Sequence, residues 1–424
     1  MRQSEILVPA HAASPSCRLC GAPLRRTFVD LGKSPLCESL LTAQQLDDVE
    51  PFYPLHVRIC AECLLVQLEA YVPAEEIFRD YVYYSSYSDS WVTHAAGYAE
   101  AVVERLRLDS SSLVVELASN DGYLLQHFVQ RGIPALGIDP AANVAEAARE
   151  RGVETIVAFF DSQLAGQLVA DGRRPNLVVA NNVLAQVPKL NDFVAGIEKV
   201  LAPDGVATIE VPHIVRLIEG LQFDTIYHEH YSYFSLTTLS RLFGDHGLEI
   251  YDVEELASHG GSLRVYLKRR DDDSHAVTPA VADVLERERV CGYAEVDGYA
   301  DFSRRVEQVK WELLELLIGL RREGRQVVGY GAPGKGNTLL NYCGIRTDLL
   351  DYTVDRNPHK HGKHLPGTQI PIYAPSRIEE TRPDYILVLP WNLKREIMEQ
   401  LSHVQTWGAQ LIVPIPRPEV LSWL

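Results

Sequence analysis

The sequence predicts an α/β protein in three parts, a small metal-binding unit followed by two Rossmann-like units, and three stretches carry that prediction. The apolar run Leu113-Val-Val-Glu-Leu117 ends on a carboxylate side and turns through Ala-Ser-Asn-Asp-Gly122 towards a helix. A buried strand that stops in this way leaves backbone N–H groups facing a ligand at the carboxyl edge of a parallel sheet. Farther on, Gln326-Val-Val-Gly-Tyr-Gly-Ala-Pro-Gly-Lys-Gly-Asn-Thr338 repeats strand, glycine turn and helix start. Near the beginning, Cys17-Arg-Leu-Cys20 and Cys60-Ala-Glu-Cys63 share one spacing. A chain of 424 residues exceeds a single core, and the three segments are read as 1–75, 76–270 and 271–424.

Two thiolates with two residues between them can occupy adjacent corners of a tetrahedron, so the two pairs predict a four-sulfur zinc site of Cys17, Cys20, Cys60 and Cys63. With every corner filled by protein no water is activated, and the ion is structural. Pro51 to Ile59 alternates like the strand of a zinc ribbon leading into the second pair. Cys37, Cys291 and Cys343 lie at no ligand spacing and read as core or surface thiols. An odd total of seven cysteines, with no signal-peptide run at the start, predicts reduced thiols and a cytoplasmic setting. The net charge of -17 opposes nucleic acid and anionic membrane as partners, and no apolar stretch is long enough for a bilayer.

The second strand of the central unit, Pro134-Ala-Leu-Gly-Ile-Asp139, ends in a carboxylate able to accept both hydroxyls of a ribose. The intervening turn is poor in glycine: Ala118, Ser119 and Asn120 precede Gly122, so a pyrophosphate would find few close backbone approaches. A nucleoside without phosphates fits better. Glu116 suits a cationic ligand with an amino-acid portion, and S-adenosylmethionine meets both descriptions. Runs at 155–160, 177–182, 205–211, 248–253 and 262–268 continue the alternation and match the seven-stranded class I methyltransferase sheet. In that arrangement Phe159 or Phe160, the latter preferred, lies against the adenine, and Asn181 and Asn182 lie beside the methionine portion. An ordinary α/β domain with acidic strand ends is the plain alternative.

Acid–base groups concentrate in Ile226-Tyr-His-Glu-His-Tyr-Ser-Tyr-Phe-Ser235. A histidine titrates near neutrality, and a neighbouring carboxylate can orient it. Proton transfer is favoured over a second zinc site, because His228 and His230 lack the spacing of a helical zinc motif. Ahead of the central unit, Tyr81, Tyr83, Tyr84 and Tyr87 suggest an aromatic lid, with interdomain packing as the bland reading. His259-Gly-Gly-Ser-Leu-Arg264 offers a glycine turn before the last strand. A long helix from Tyr299 to Gly324 connects to the third unit, where Gly336 stands in place of the Ser or Thr that a P-loop needs for magnesium. Nucleoside triphosphate hydrolysis is therefore not expected, and the turn reads as a diphosphate cradle. Asp355 closes a second strand there, expected over 349–355.

With these motifs assembled, the chain resembles the sugar C-methyltransferases that act on nucleotide-linked 4-keto deoxysugars. The resemblance runs from Cys17 to about Pro418 and is carried by the cysteine pairs, Asp80-Tyr-Val-Tyr-Tyr-Ser-Ser-Tyr-Ser, Glu116-Leu-Ala-Ser-Asn-Asp-Gly, Tyr227-His-Glu-His, His259-Gly-Gly-Ser-Leu-Arg and Gly329-Tyr-Gly-Ala-Pro-Gly-Lys-Gly-Asn. It implies methylation of the carbon beside a ketone through an enolate, with zinc and S-adenosylmethionine as cofactors and a dTDP- or GDP-type sugar as substrate. By the same resemblance His230 is the general base, Glu229 and Tyr227 orient it or steady the enolate, and Tyr81 lines the pocket. Tyr84, His259, Arg264, Lys335, Asn337 and Asp355 are assigned to the substrate, Lys335 and Asn337 to its diphosphate. One position departs from the pattern: several relatives carry a histidine where this chain has Gln186. A glutamine can hydrogen-bond an enolate oxygen but cannot shuttle a proton, so either a second acid–base group is dispensable or the substrate differs. O-methylation of a small molecule and non-catalytic binding of a nucleotide sugar are the competing readings.

Overall fold

A computed structural model describes residues 15–78, 84–421 and 423. Three sheets organise them. The strands in chain order are β1 (Arg26–Ser34), β2 (Tyr53–Ile59), β3 (Val66–Leu68), β4 (Val114–Leu117), β5 (Ala135–Asp139), β6 (Glu154–Val157), β7 (Leu177–Asn181), β8 (Val206–Pro212), β9 (Ser232–Tyr233), β10 (Leu248–Leu256) and β11 (Ser262–Arg269). They are followed by β12 (Val327–Tyr330), β13 (Thr353–Val354), β14 (Ile372–Tyr373), β15 (Tyr385–Val388), β16 (Gln410–Val413) and β17 (Glu419–Leu421).

The central sheet has the order β10-β11-β8-β7-β4-β5-β6. Its strands run parallel except β11, which is antiparallel to both neighbours. The inner strands are continuous apolar runs because helices cover both faces, as parallel sheets require. Chain order reverses at β4, which lies between β5 and β7, so a ligand crevice is expected at its carboxyl end. Gly137 permits the first turn to close, since a Cβ there would lie 2.4 Å from Ser119 Oγ. The helix Asp89–Leu106 starts on the Ser88 hydroxyl, which accepts from Trp91 N–H, and delivers the chain to β4. Asp161 and Ser235 cap the helices Ser162–Ala170 and Leu236–Asp245 in the same way.

The third sheet, β14-β13-β12-β15-β16-β17, is parallel except at β17. Its second strand is only Thr353–Val354, shorter than the sequence suggests, because Leu349 and Leu350 N–H groups bond back to the Arg346 carbonyl in a turn. The connecting helix begins at Phe302 rather than Tyr299, the preceding residues forming a short 3-10 turn. Gly336 has a packing reason: a Cβ there would meet the Leu389 Cβ at 2.9 Å.

The small first sheet is not built from the N-terminal segment alone. Its order is β1-β2-β3-β9, and β9 comes from the tyrosine- and histidine-rich segment of the central unit. One apolar cluster joins Phe28, Leu55 and Val57 of this sheet to Phe302, Val306 and Leu313 of the long helix and to Val327 and Leu387 of the third sheet. Another joins Cys17, Cys60, Cys63 and Leu65 to one face of the central sheet. The helix Pro279–Val290, in the third segment of the sequence reading, contributes Val281 and Val284 to that same central cluster.

That helix also carries a buried pin. Glu288 accepts from His213 Nε2 (2.8 Å), Leu236 N–H (2.7 Å), Thr237 N–H (2.9 Å) and Thr237 Oγ1–H (2.6 Å). Burial alone would raise its pKa, but these donors prevail and hold the carboxyl below its usual range. Its stabilisation is therefore complete above the ordinary glutamate range and lost as pH falls through the lowered value. Glu288→Ala strands two helix N–H groups and an imidazole in a dry site, and stability is expected to fall by about 3 kcal/mol, read as a lower urea midpoint at unchanged slope. A midpoint equal to that of the parent chain would show that the carboxylate holds nothing.

Candidate active site

The four predicted thiols meet. The Sγ atoms of Cys17, Cys20, Cys60 and Cys63 all lie within 4.8 Å of one another, with Cys17 to Cys63 and Cys20 to Cys60 each at 3.5 Å. Gln67 Nε2–H donates to Cys17 Sγ at 3.1 Å, so one sulfur already has the kind of outer donor that supports a bound thiolate. Burial pushes the Cys60 thiol up to about 11, and Cys63 is raised by its sulfur neighbour Cys17 and by burial. The Cys17 thiol goes the other way, lowered to about 4 chiefly by its contact with Cys63, and a compact set of four sulfurs in which one ionises at the expense of its neighbours fits a zinc ion, which would supply the compensating charge. Of the remaining thiols Cys37 and Cys343 are buried and Cys291 is exposed.

At the carboxyl edge of the central sheet the strand ends are tightly turned. Ala118, Asn120 and Asn182 have φ of 56°, 49° and 56°, and Gly122 has 75°. Asp139 accepts from Asn120 N–H and from Ala141 N–H, both at 2.9 Å, while burial pushes it up to about 6. Burial likewise raises Glu116 well above the carboxylate range. Among the described residues, Glu116 Oε2, Ser119 Oγ, Asn181 Oδ1 and both polar atoms of Asn182 are buried without a hydrogen-bond partner. Native interiors rarely tolerate such a concentration of unpaired groups unless a ligand or ordered water completes them. Raised acids beside unpaired amide and hydroxyl groups fit a ligand with a cationic amino-acid end and a ribose, as S-adenosylmethionine has.

The two candidate phenylalanines beyond β6 have different surroundings. Phe160 is taken up by packing: its ring meets Phe193 edge-on at 5.5 Å and abuts Gly196. Phe159 instead lines a cavity of about 290 Å³ together with Phe78, Pro140 and Ala142. Since β6 ends at Val157, the two phenylalanines lie beyond the strand, where alternation no longer dictates which ring faces the ligand. Tyr84 lies on this side too, its hydroxyl accepting from Asn143 Nδ2 at 3.1 Å, just past Asp139. Tyr84 and Tyr87 stack at 5.5 Å, and the backbone between them is pinned to the cofactor turn through Ser85 N–H to Asn120 Oδ1 at 2.9 Å. Asp121, held at 3.1 Å by Arg151, accepts from Ser86 as well. Tyr81 and Tyr83 lie outside the described residues.

The histidine-rich segment sits on the same edge. Tyr231 N–H donates to the Ala185 carbonyl at 2.8 Å, next to Gln186 in the turn that follows β7. His230 Nδ1–H donates to the Thr225 carbonyl at 2.9 Å, which leaves Nε2 as the bare ring nitrogen. Burial, and secondarily Lys335, lower its pKa to about 4. Tyr227 lies over the imidazole with ring centroids 4.1 Å apart. Glu229 is not the orienting group: its Oε1 faces Cys37 Sγ at 3.7 Å, and burial and Glu38 push it up to about 8. His228 is turned to the first sheet, donating to the Pro54 carbonyl at 3.2 Å.

The third unit reaches this segment. Thr338 Oγ1–H donates to the Ile226 carbonyl at 3.1 Å, and Trp391 Nε1–H to Asp224 Oδ2 at 2.7 Å. Lys335 donates to Asn392 Oδ1 at 2.8 Å and lies 5.2 Å from the Trp391 ring centre. Its charge acts on both His230 and His259, so it belongs to the cleft as much as to the glycine turn. Asn337 is fully buried with both side-chain polar atoms unpaired. Asp355 accepts from Ala332 N–H at 2.7 Å and Asn357 N–H at 2.8 Å, the same double contact that Asp139 makes in the central unit.

Arg264 lies deeper than a glycine turn suggests. It is buried, bonded to Glu210 at 2.7 Å and to Glu254 at 3.3 Å, and its guanidinium lies 4.4 Å from the Tyr98 ring centre. It is held inside the sheet edge by these contacts. Glu210 also accepts from His94 Nε2–H at 3.0 Å and Ser258 Oγ–H at 2.7 Å. His94 stacks on Trp91 at 4.9 Å, and Trp91 meets His259 edge-on at 5.0 Å. The sequence reading missed Trp91, His94 and Glu210; the tryptophan and histidine three apart on one helix were the available signal.

Comparison with known proteins gives three matches to family models: "Putative zinc binding domain" over residues 17–78, "Methyltransferase domain" over 91–253 and "C-methyltransferase C-terminal domain" over 257–416. The chain is 39% identical over 406 residues to C-methyltransferase NovU of Streptomyces niveus, covering 96% of each chain. Among solved structures, magnesium protoporphyrin IX methyltransferase of Synechocystis PCC 6803 gives a TM-score of 0.36 at 15% identity, covering 48% of this chain and 100% of the other. The 1,6-didemethyltoxoflavin-N1-methyltransferase of Burkholderia thailandensis gives 0.35 at 19% identity, covering 50% and 98%.

The zinc site and the histidine segment are joined by the β3–β9 ladder. One zinc per chain is expected by atomic absorption, and its removal by a chelator should speed hydrogen exchange at Tyr231 to Phe234 as well as in the cysteine turns. Exchange confined to the cysteine turns would separate the metal from the site.

Proposed function

This chain belongs to the C-methyltransferase family that includes NovU, and as an S-adenosylmethionine-dependent C-methyltransferase we propose that it methylates the carbon beside the ketone of a nucleotide-linked keto deoxysugar. The observation that carries this reading is a convergence. What supports it is that the bare imidazole nitrogen of His230 lies within the electrostatic reach of Lys335 of the third unit, that its segment is bonded to the turn after β7, and that the unpaired groups of Glu116, Ser119, Asn181 and Asn182 lie at the neighbouring strand ends.

S-adenosylmethionine, when bound, supplies an electrophilic methyl on sulfur. Glu116 would hold its amino-acid end, Asp139 its ribose, and Phe159 one wall of the adenine cavity. The ketone makes the neighbouring C–H acidic, and His230 Nε2 takes that proton while Thr225 fixes the ring tautomer. Tyr227 covers the imidazole, and Gln186, beside the loop, can donate to the oxygen that gains charge. Asn337 and Lys335, with Asp355 bracing the turn before them, would secure a dTDP- or GDP-type handle and so bring the sugar to His230.

His230→Ala is expected to lower turnover about a thousandfold or more while calorimetry still detects S-adenosylhomocysteine binding; undiminished turnover would remove His230 from the chemistry. A base with a pKa lowered to about 4 is free above that value, so kcat/KM should stay level through neutrality and fall as pH drops towards it. Incubation of a dTDP-linked 4-keto deoxysugar in deuterium oxide should exchange the proton beside the ketone. No exchange together with a methoxy product by NMR would replace carbon methylation with oxygen methylation.

A further inference from the structure

We infer that His259 is a second functional imidazole of the cleft, donating its N–H to the substrate's ketone oxygen, and that Gln222 is the positioning residue fixing it relative to His230. The inference rests on the carbon-methylation reading above and deepens it.

Three groups of contacts carry the inference. His259 occupies the left-handed region at φ 54°, between β10 and β11, where the antiparallel pairing of Ser262 with Pro212 brings this turn to the carboxyl end of β8. A non-glycine residue held there needs support, and such strain recurs at functional positions. The support is extensive: Ser258 Oγ–H donates to buried Glu210, Ser262 Oγ–H donates to the Ser258 carbonyl at 3.0 Å, and His213 N–H donates to the Gly261 carbonyl at 3.0 Å.

The second group ties the turn to the base. Gln222 Nε2–H donates to the Gly260 carbonyl at 2.8 Å. The Gln222 carbonyl in turn accepts from Thr225 Oγ1–H at 2.7 Å and Thr225 N–H at 3.1 Å, and the Thr225 carbonyl accepts from His230 Nδ1–H. The two imidazoles are therefore spaced by one short, continuous set of hydrogen bonds. The third is placement: the His259 ring is open to solvent, yet its edge-on contact with Trp91 leads to Tyr123, stacked on Trp91 at 6.0 Å, and so to the Glu116 side of the cofactor edge. Lys335, His230, His94 and Glu210 act on it electrostatically, Lys335 in the sense that favours the neutral ring. A neutral imidazole keeps an N–H that can polarise a carbonyl without giving up its proton.

The step then balances. His230 takes the proton beside the ketone, the C–H electron pair becomes the enolate double bond, and the carbonyl π pair moves to the oxygen that His259 N–H holds. The enolate carbon bonds to the methyl as the carbon–sulfur bond breaks, S-adenosylhomocysteine leaves with that pair, the ketone re-forms, and His230 later returns its proton to solvent.

The full-length protein is assayed with a dTDP-linked 4-keto deoxysugar, following both methylation and solvent exchange of the proton beside the ketone. Asparagine tolerates the left-handed region, so His259→Asn preserves the turn. It should lower kcat and exchange together by about a hundredfold, with KM and S-adenosylhomocysteine affinity unchanged. Gln222→Met should show the same split between kcat and KM. His259→Gly should be restored by added imidazole. Parent-like exchange in His259→Asn, a rise in KM alone, or a defect in His259→Gly that imidazole does not relieve would overturn the inference. If the parent chain itself neither exchanges nor methylates this sugar, the failure lies in the carbon-methylation reading.

Discussion

The two-residue ladder between β3 and β9 is the constraint on which the cleft depends. Residues 222–234 have little regular structure of their own, so their conformation comes from what surrounds them. The first sheet holds one end by backbone pairing at Ser232 and Tyr233 and by the His228 contact to Pro54. The central unit holds the middle through Tyr231 and Ala185. The third unit holds the other end through Ile226 and Asp224. A segment supported from three sides holds its side chains in one arrangement, and such positioning is how a site lowers a barrier.

The electrostatics divide along the same lines. On the cofactor edge buried carboxyls predominate, and Glu116 and Asp139 are both raised, an environment that a cation relieves. On the substrate side the imidazoles of His230 and His259 are lowered, with Lys335 acting on each. Acids that welcome positive charge and imidazoles that remain neutral thus belong to different parts of the molecule's strand-end surface. Glu229, pushed up to about 8 by burial and Glu38, is biased towards its neutral form beside His230 in sequence.

Much of this was legible in the residues. The cysteine spacing is a direct statement of tetrahedral geometry, and all four sulfurs meet. The strands of the central sheet announced themselves because parallel strands covered on both faces are continuous apolar runs. Acidic strand ends at Glu116 and Asp139 were visible for the same reason. What was not legible depends on rotamers and on contacts distant in sequence. Nothing in the pair Phe159-Phe160 says which ring turns inward once the strand has ended at Val157. Arg264 follows a glycine turn and looks available, yet Glu210 on the adjacent strand is its register partner and engages it. The carbonyl of Thr225 could not compete with Glu229 as the partner of His230 in a sequence reading, because backbone acceptors carry no residue signature. The crossing of β9 into the first sheet was likewise hidden, since two residues are too few to show a period.

The Trp391–Asp224 bond gives the third unit a part beyond holding a handle. Asp224 is fully buried, and burial raises it to about 6 despite the opposing pull of Lys335 and the Trp391 N–H. It lies one residue from Thr225, whose carbonyl sets the tautomer of His230 and whose N–H and hydroxyl lead to Gln222. Lys335 and Trp391 are themselves adjacent, ring to ammonium, at the mouth of the glycine turn. A ligand that draws Lys335 towards its phosphates changes the charge beside Asp224 and the two histidines at once. A change at Lys335 is thus felt electrostatically at Asp224, His230 and His259 together.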